Sequence, residues 1–281
     1  MPGHKGIGPL GCEHLDITEI AGADSLYEAE GIIAESEKNA SLLFGCPTFY
    51  STEGSSHCIR SMLYIAKMCG VDKILAGRNA HKSFLSAVAL NDIDVEWIYP
   101  SKSESYLSLN LDPDVLDKTL SQSYDIKAVY ITSPDYLGNI ADIPAIARVC
   151  KKHNTLLLVD NAHGAYLKFL PKSLHPIDLG ADICCDSAHK TLPVITGGAY
   201  LHVSQNADSR FVRLAKNALS LFGSTSPSYL ILQSLDKTNH YLESIYKPSI
   251  SEFISKVNDA KSKLIENGYT LSGSEALKIV I

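Results

Sequence analysis

Residues 183–191 run Ile-Cys-Cys-Asp-Ser-Ala-His-Lys-Thr, so three apolar side chains lead straight into Ser187, His189 and Lys190. A lysine at the end of a buried strand is costly unless it is used. A partly desolvated amine has a depressed pKa and can condense with an aldehyde as a nucleophile. Four other apolar runs also end on polar residues. Ser51-Thr52 and the turn Glu53-Gly54-Ser55-Ser56 follow "TFY", and Arg78-Asn79-Ala80-His81 follows "KILAG". Ser133-Pro134-Asp135-Tyr136 follows "KAVYIT", and Asp160-Asn161-Ala162-His163 follows "TLLLV". Gly-Ser-Ser at a helix start offers free backbone N–H groups, two hydroxyls and the positive end of the helix dipole, which suits a phosphate. Asp160, at the end of another strand on the same edge, could keep a pyridinium nitrogen protonated. Taken singly, each has a plainer reading: Asp160 as an N-cap, the serines as ordinary capping, His81 and His163 as structural histidines. Together, a phosphate cradle, a Schiff-base lysine and a pyridinium carboxylate describe a pyridoxal-phosphate site.

Such residues must be held by a scaffold, and from about residue 25 the chain alternates helical and strand patterns. "SLYEAEGIIAESEKNASLLFG" has apolar residues at three- and four-residue spacings and a glycine stop, which predicts a helix. "GSSHCIRSMLYIAKMCG" and "HKSFLSAVALN" predict two more. "KILAG", "VEWIYP", 127–133 and 155–160 read as strands. Asp112-Pro113 and Asp142 with a first-turn proline mark helix starts. Near-continuous apolar strands suit a sheet covered on both faces, hence an α/β fold with a mostly parallel sheet sandwiched by helices. In such sheets ligands sit beyond the carboxyl ends of the strands, where these polar residues fall. Gly197-Gly198 opens a further strand and lets its backbone pass close to the lysine turn. Three helical stretches at roughly 206–222, 228–246 and 249–267 follow, then two short strand candidates. The expected organisation is an N-terminal segment (1–24), a cofactor-binding major domain (25–225), and linking helices with the start of a smaller C-terminal α+β domain (226–281).

The chain has 281 residues, 45% of them hydrophobic, enough for a sizeable core. With 25 Lys+Arg against 31 Asp+Glu it is net −6, and no basic stripe suits nucleic acid. No apolar stretch is long enough to span a membrane, and "MPGHKGIGPLGCEH" has no signal-peptide core. Seven cysteines, an odd number, without zinc-type pair spacing predict reduced thiols in a cytoplasmic protein and no metal centre. Both ends look cut, with Met1 opening on Pro-Gly-His-Lys and the chain stopping on "ALKIVI", so we expect a fragment of a longer protein.

"VDNAHG" and "DSAHKTLP", with "PGHKG" at the start and "RNAHKS" between, resemble the major domain of the Orn/Lys/Arg decarboxylase family, fold-type-I pyridoxal-phosphate enzymes. The likeness runs from residue 2 to about 230. It implies Lys190 as the Schiff-base lysine and Asp160 as partner of the pyridinium nitrogen. His81 would stack on one face of the ring and Ala162 pack on the other. Ser55 and Ser56 would hold the phosphate, with Ser187 and His189 closing its far side, and His163 would lie near the Schiff base or the substrate carboxylate. "FGSTSPSY" resembles the segment that reaches the partner subunit's phosphate in this family, so Ser224 and Thr225 would act in trans in a homodimer or higher homo-oligomer. Two residues depart from the pattern: Glu53 beside the phosphate turn must point away or weaken phosphate binding, and Asp135 stands where threonine is common. The implied reaction is decarboxylation of a basic amino acid (arginine, lysine or ornithine). Its rivals are another fold-type-I activity, such as an aminotransferase, and a truncated non-catalytic paralogue.

Overall fold

The computed structural model describes residues 2–100 and 105–281. Seven strands form one sheet: β1 (Thr48–Ser51), β2 (Lys73–Gly77), β3 (Asp94–Ile98), β4 (Ala128–Thr132), β5 (Leu156–Asp160), β6 (Ile183–Asp186) and β7 (Ala199–Val203). Their spatial order is β1-β7-β6-β5-β4-β2-β3. The β2–β3, β2–β4, β4–β5 and β5–β6 pairs are parallel, and β7 runs antiparallel to both β6 and β1. The fold is therefore a mostly parallel α/β sheet flanked by helices. The strand reading holds because the central strands are buried on both faces: β6 and β7 have no exposed residue, and β4 and β5 are almost as dry.

Among the described residues there are ten α-helices: α1 (Ile32–Phe44), α2 (Gly54–Met68), α3 (Lys82–Leu90), α4 (Pro113–Gln122), α5 (Ile143–Lys152), α6 (Pro176–Leu179), α7 (Ala188–Thr191), α8 (Ser209–Phe222), α9 (Tyr229–Tyr241) and α10 (Lys247–Glu266). A turn of π-helix (Leu242–Tyr246) joins the last two. One apolar layer packs α2, α3 and α8 on the sheet through Met62, Phe84 and Phe211. On the other face α4 and α5 cover the parallel half through Leu116, Ile143 and Ile146, while α1 and α9 cover the β7 end through Phe44 and Leu235. The acid–proline starts behave as read: Asp112 accepts from Asp114 N at 2.8 Å and Asp142 from Ala145 N at 3.1 Å, which satisfies otherwise unpaired first-turn donors.

Two sequence expectations are corrected. The first helix begins at Ile32, not near residue 25, because Asp24 gathers the backbone N–H groups of Glu30, Gly31, Ile33 and Ala34 and fixes a turn ahead of it. Burial opposes ionisation of Asp24, but those donors outweigh it and bring its carboxyl down to about 2. The second correction concerns the final apolar run. "ALKIVI" is not a strand; among the described residues this region makes one isolated bridge, Ser272 with Val280. The two residues just before that run, Ser274 and Glu275, both donate their amides to the Gly138 carbonyl.

Candidate active site at the carboxyl edge of the sheet

The carboxyl ends of β1, β2, β4, β5 and β6 meet along one edge and enclose a cavity of about 700 Å³. Ser55, Ser56, His81, Asp160, Ala162, His163, Ser187, His189 and Lys190 all line it. Ser224 and Thr225 do not: they lie beyond the end of α8, where the Ser224 amide donates to the Glu53 carboxylate. With its carboxylate held by that contact, Glu53 is not among the residues that line the cavity.

Close packing of two polar turns builds one wall. Ser187 Oγ donates to Ser55 Oγ at 2.7 Å, linking the end of β6 to the first turn of α2. Ser56 Oγ lies 2.6 Å from Ser83 Oγ, which lies 2.8 Å from His81 Nδ1. His81 also caps α3, accepting from Ser83 N at 3.2 Å, so it is both a structural cap and a cavity wall. The glycine pair clamps these turns. Gly197 O accepts from Gly54 N at 2.7 Å and Gly198 O from His189 N at 3.2 Å. Gly197 has φ +103°, and a Cβ there would stand 2.7 Å from Thr52 O, so a side chain is excluded on two counts.

Lys190 sits in the short helix α7 with its side chain partly open to solvent along the cavity. Its Nζ lies 3.2 Å from His163 Nε2. Surrounding protein strips water from the amine and lowers its pKa, only partly offset by Asp160. The same desolvation, reinforced by Lys190 and Lys278, holds His163 at about 4, neutral at physiological pH. His163 is oriented by Tyr136, whose ring meets it edge-on with centroids 5.9 Å apart.

Asp160 is 2% exposed. Its Oδ1 accepts from Ala162 N at 3.1 Å and its Oδ2 from Tyr130 OH at 3.3 Å. Desolvation nevertheless raises its pKa, against the pull of that amide and the more distant Lys190 and His81. The carboxyl faces the cavity and makes no ion pair among the described residues.

These features fit pyridoxal phosphate on their own chemistry. A helix N-terminus with hydroxyls suits a dianion, a desolvated amine suits an aldehyde, and a buried carboxyl short of a cation suits a protonated ring nitrogen. Two more buried polar atoms on the cavity wall, Asn79 Nδ2 and Thr132 Oγ1, have no hydrogen-bond partner among the described residues. They could meet a ligand's remaining polar atoms.

Sequence reasoning missed Thr132 and Tyr106 as lining residues, and Ser83 behind the wall as the hydroxyl that bonds Ser56 and His81. Ser83 was within reach, since it stands two residues beyond a histidine at a helix start, where capping hydroxyls gather.

Residues 12–281 match the family described as Orn/Lys/Arg decarboxylase, major domain. The chain is 32% identical over 252 residues to the uncharacterised protein YaaO of Bacillus subtilis, covering 88% of this chain and 52% of that protein. It is 31% identical over 295 residues to the arginine decarboxylase of the same organism, covering 99% and 59%. It therefore spans little more than half the length of these relatives. Among solved structures, the lysine decarboxylase of Francisella novicida superposes with a TM-score of 0.79 at 21% identity, over 95% of this chain and 41% of that one, a likeness of fold.

Proposed function

Because the chain belongs to the Orn/Lys/Arg decarboxylase family, we propose that it binds pyridoxal phosphate and takes part in removing the α-carboxylate of a basic amino acid. The observation that carries this reading is the pairing, across one cavity, of a desolvated Lys190 amine with a buried Asp160 carboxyl that lacks a cation. When bound, the cofactor supplies an aldehyde that condenses with amines and a ring that takes up the electrons left by departing carbon dioxide.

The chain's own groups do the rest. The first turn of α2 with Ser55 and Ser56, and Ser187 and His189 opposite, would hold the phosphate. Asp160 would accept the ring N–H, and that cation returns the carboxyl to its ionised form. His81 and Ala162 would lie against opposite faces of the ring. Lys190 must shed a proton before it can attack an aldehyde. His163, neutral and 3.2 Å from Nζ, can accept a hydrogen bond from the amine and hold it in place, while the lowered pKa of Lys190 lets its proton pass to solvent.

The free state of all seven cysteines supports a reducing, cytoplasmic setting. No helix among the described residues is long and apolar enough to cross a membrane. We read Ser224 and Thr225 as reaching the phosphate of a second copy, which would make the active unit at least a dimer.

The test is to incubate the full chain and pyridoxal phosphate with arginine, lysine and ornithine in turn. Carbon dioxide and an amine should appear without any keto-acid acceptor, and a visible cofactor band should vanish in Lys190→Ala. Keto-acid formation instead would replace the reading with transamination. A chain that takes up no cofactor would leave only a non-catalytic paralogue.

A further inference from the structure

A second cavity of about 400 Å³ adjoins the first and shares His163 and Lys190 with it. One side is apolar, formed by Tyr246, Phe253 and Leu277, and the other presents oxygens from Tyr166, Thr191 and Glu275 with the Lys278 ammonium beside them. Glu275 is 2% exposed. Its Oε1 accepts from Tyr166 OH at 3.1 Å, but its Oε2 has no hydrogen-bond partner among the described residues, and neither has Thr191 Oγ1.

The backbone leaves Glu275 little freedom to turn away. Its amide donates to Gly138 O at 3.0 Å and its carbonyl accepts from Lys261 Nζ at 2.7 Å. Lys278 Nζ stands 3.6 Å from Oε2, beyond hydrogen-bond length, and donates instead to Tyr136 O at 3.1 Å. Lys278 thus pairs with the carboxylate by charge alone, and Oε2 keeps its lone pairs free of any hydrogen bond among the described residues. Burial raises the Glu275 pKa despite Lys278. A second cation arriving from the cavity would restore its charge. Oxygen acceptors beside aromatic rings are the usual surroundings of a bound ammonium or guanidinium.

We propose that Glu275, with Tyr166 and Thr191, forms the subsite for the distal ammonium or guanidinium of an α-amino acid whose amino group is held at Lys190. This rests on the reading of Lys190 as the substrate-exchanging lysine, and it assigns the choice of a basic substrate to residues of this chain. The carboxylate is placed for it: the subsite opens beside Lys190, and its apolar wall can line the methylene stem between the two ends.

The experiment measures equilibrium binding of arginine, lysine, ornithine and uncharged norleucine to the full chain loaded with pyridoxal phosphate, by calorimetry, with carbon dioxide release followed in parallel. Wild type should prefer one or more basic amino acids to norleucine by at least about tenfold, the worth of one charge-assisted hydrogen bond. Glu275→Gln, which keeps the shape and removes the charge, should abolish most of that preference and leave norleucine binding and the cofactor absorption unchanged. If Glu275→Gln fails to take up cofactor, Thr191→Val with Tyr166→Phe should lower the preference about threefold. A wild type without preference, or variants that discriminate as wild type does, overturns the subsite. The two readings separate cleanly. Cation preference that depends on Glu275 without carbon dioxide release upholds the subsite and removes the decarboxylation. Carbon dioxide release with a preference indifferent to Glu275 does the reverse.

Discussion

Asp160 and Asp186 end neighbouring strands of one sheet, and neither is more than 2% exposed, yet their surroundings drive them in opposite directions. Burial penalises both. At Asp186 it is overcome: His175 Nε2 and His202 Nε2 each lie 3.1 Å from Oδ2, Asn161 donates to Oδ1 at 2.6 Å, and the carboxyl stays far below its ordinary range. Asp160 meets an amide and a phenol at close range, its cations stand off, and its pKa rises. The faces of the sheet explain the contrast. Asp186 shares its face with Cys184 and with His202 of β7, closed over by the Phe44 ring 4.4 Å from the His202 ring. Asp160 opens onto the cavity. A buried charge satisfied within the chain is scaffold, while one left short of a partner is reserved for a ligand.

The two aspartates should therefore exchange phenotypes under the same substitution. Asp160→Asn removes the anion that a ring cation would meet, so turnover should fall on the order of 10² to 10³, the scale of losing one well-placed electrostatic contact. Its urea midpoint without cofactor should hold or rise, because a desolvated carboxyl has gone. Equal activity in the two proteins would break the contrast at its more important end. Asp186→Asn should cost about 3 kcal/mol in urea unfolding, since it strips the charge from a buried hydrogen-bonded pair. Activity per folded molecule should change far less, except as Asn161 loosens beside Asp160.

A smaller effect is expected at the clamp between the two turns. Gly197→Ala forces a side chain onto a left-handed backbone and against Thr52 O. The expected cost is about 1–3 kcal/mol, with weaker cofactor binding, because displacing the residue-197 carbonyl weakens the hydrogen bond it accepts from Gly54 N at the start of α2. Cofactor titration followed by absorbance would check it. Unaltered affinity in a destabilised protein would make Gly197 scaffold alone.

The open half of this contrast was legible in the sequence and the closed half was not. Asp160, Lys190 and the serines fall at the ends of apolar runs, and a strand end is readable from composition. His175 and His202 join Asp186 only through a loop and the β6–β7 register, which pairs Cys184 with His202. No spacing announces that. Glu275 was hidden differently, immediately before an apolar run whose pattern suggested a strand. Its backbone bonds to the Gly138 loop instead, and a local hydrophobic pattern cannot show such a contact. The start of α1 was misjudged because the apolar spacing continues upstream of Ile32. The capping there depends on one carboxylate, Asp24, six to ten residues before the amides it collects.

The finest discrimination concerns pH. His163 has a folded-state pKa of about 4 against an unfolded value near 6.5. Between those values the unfolded chain binds the extra proton, so this residue's contribution is intact above about pH 6.5 and is lost as pH falls toward 4. The lowered amine of Lys190 acts in the same direction, but its window lies at alkaline pH. Asp160 acts with the opposite sign: its raised pKa means the native state holds a proton more firmly, so its contribution is fullest in acid and fades as pH climbs through its folded value. Urea midpoints of cofactor-free wild type and His163→Gln, followed from pH 7 to pH 4, should thus converge or cross as the wild type loses its histidine term. Asp160→Asn should instead gain on wild type as pH rises. Parallel curves for His163→Gln would mean that water reaches the imidazole freely, and that the cavity leaves the Lys190–His163 pair far less desolvated than its walls imply.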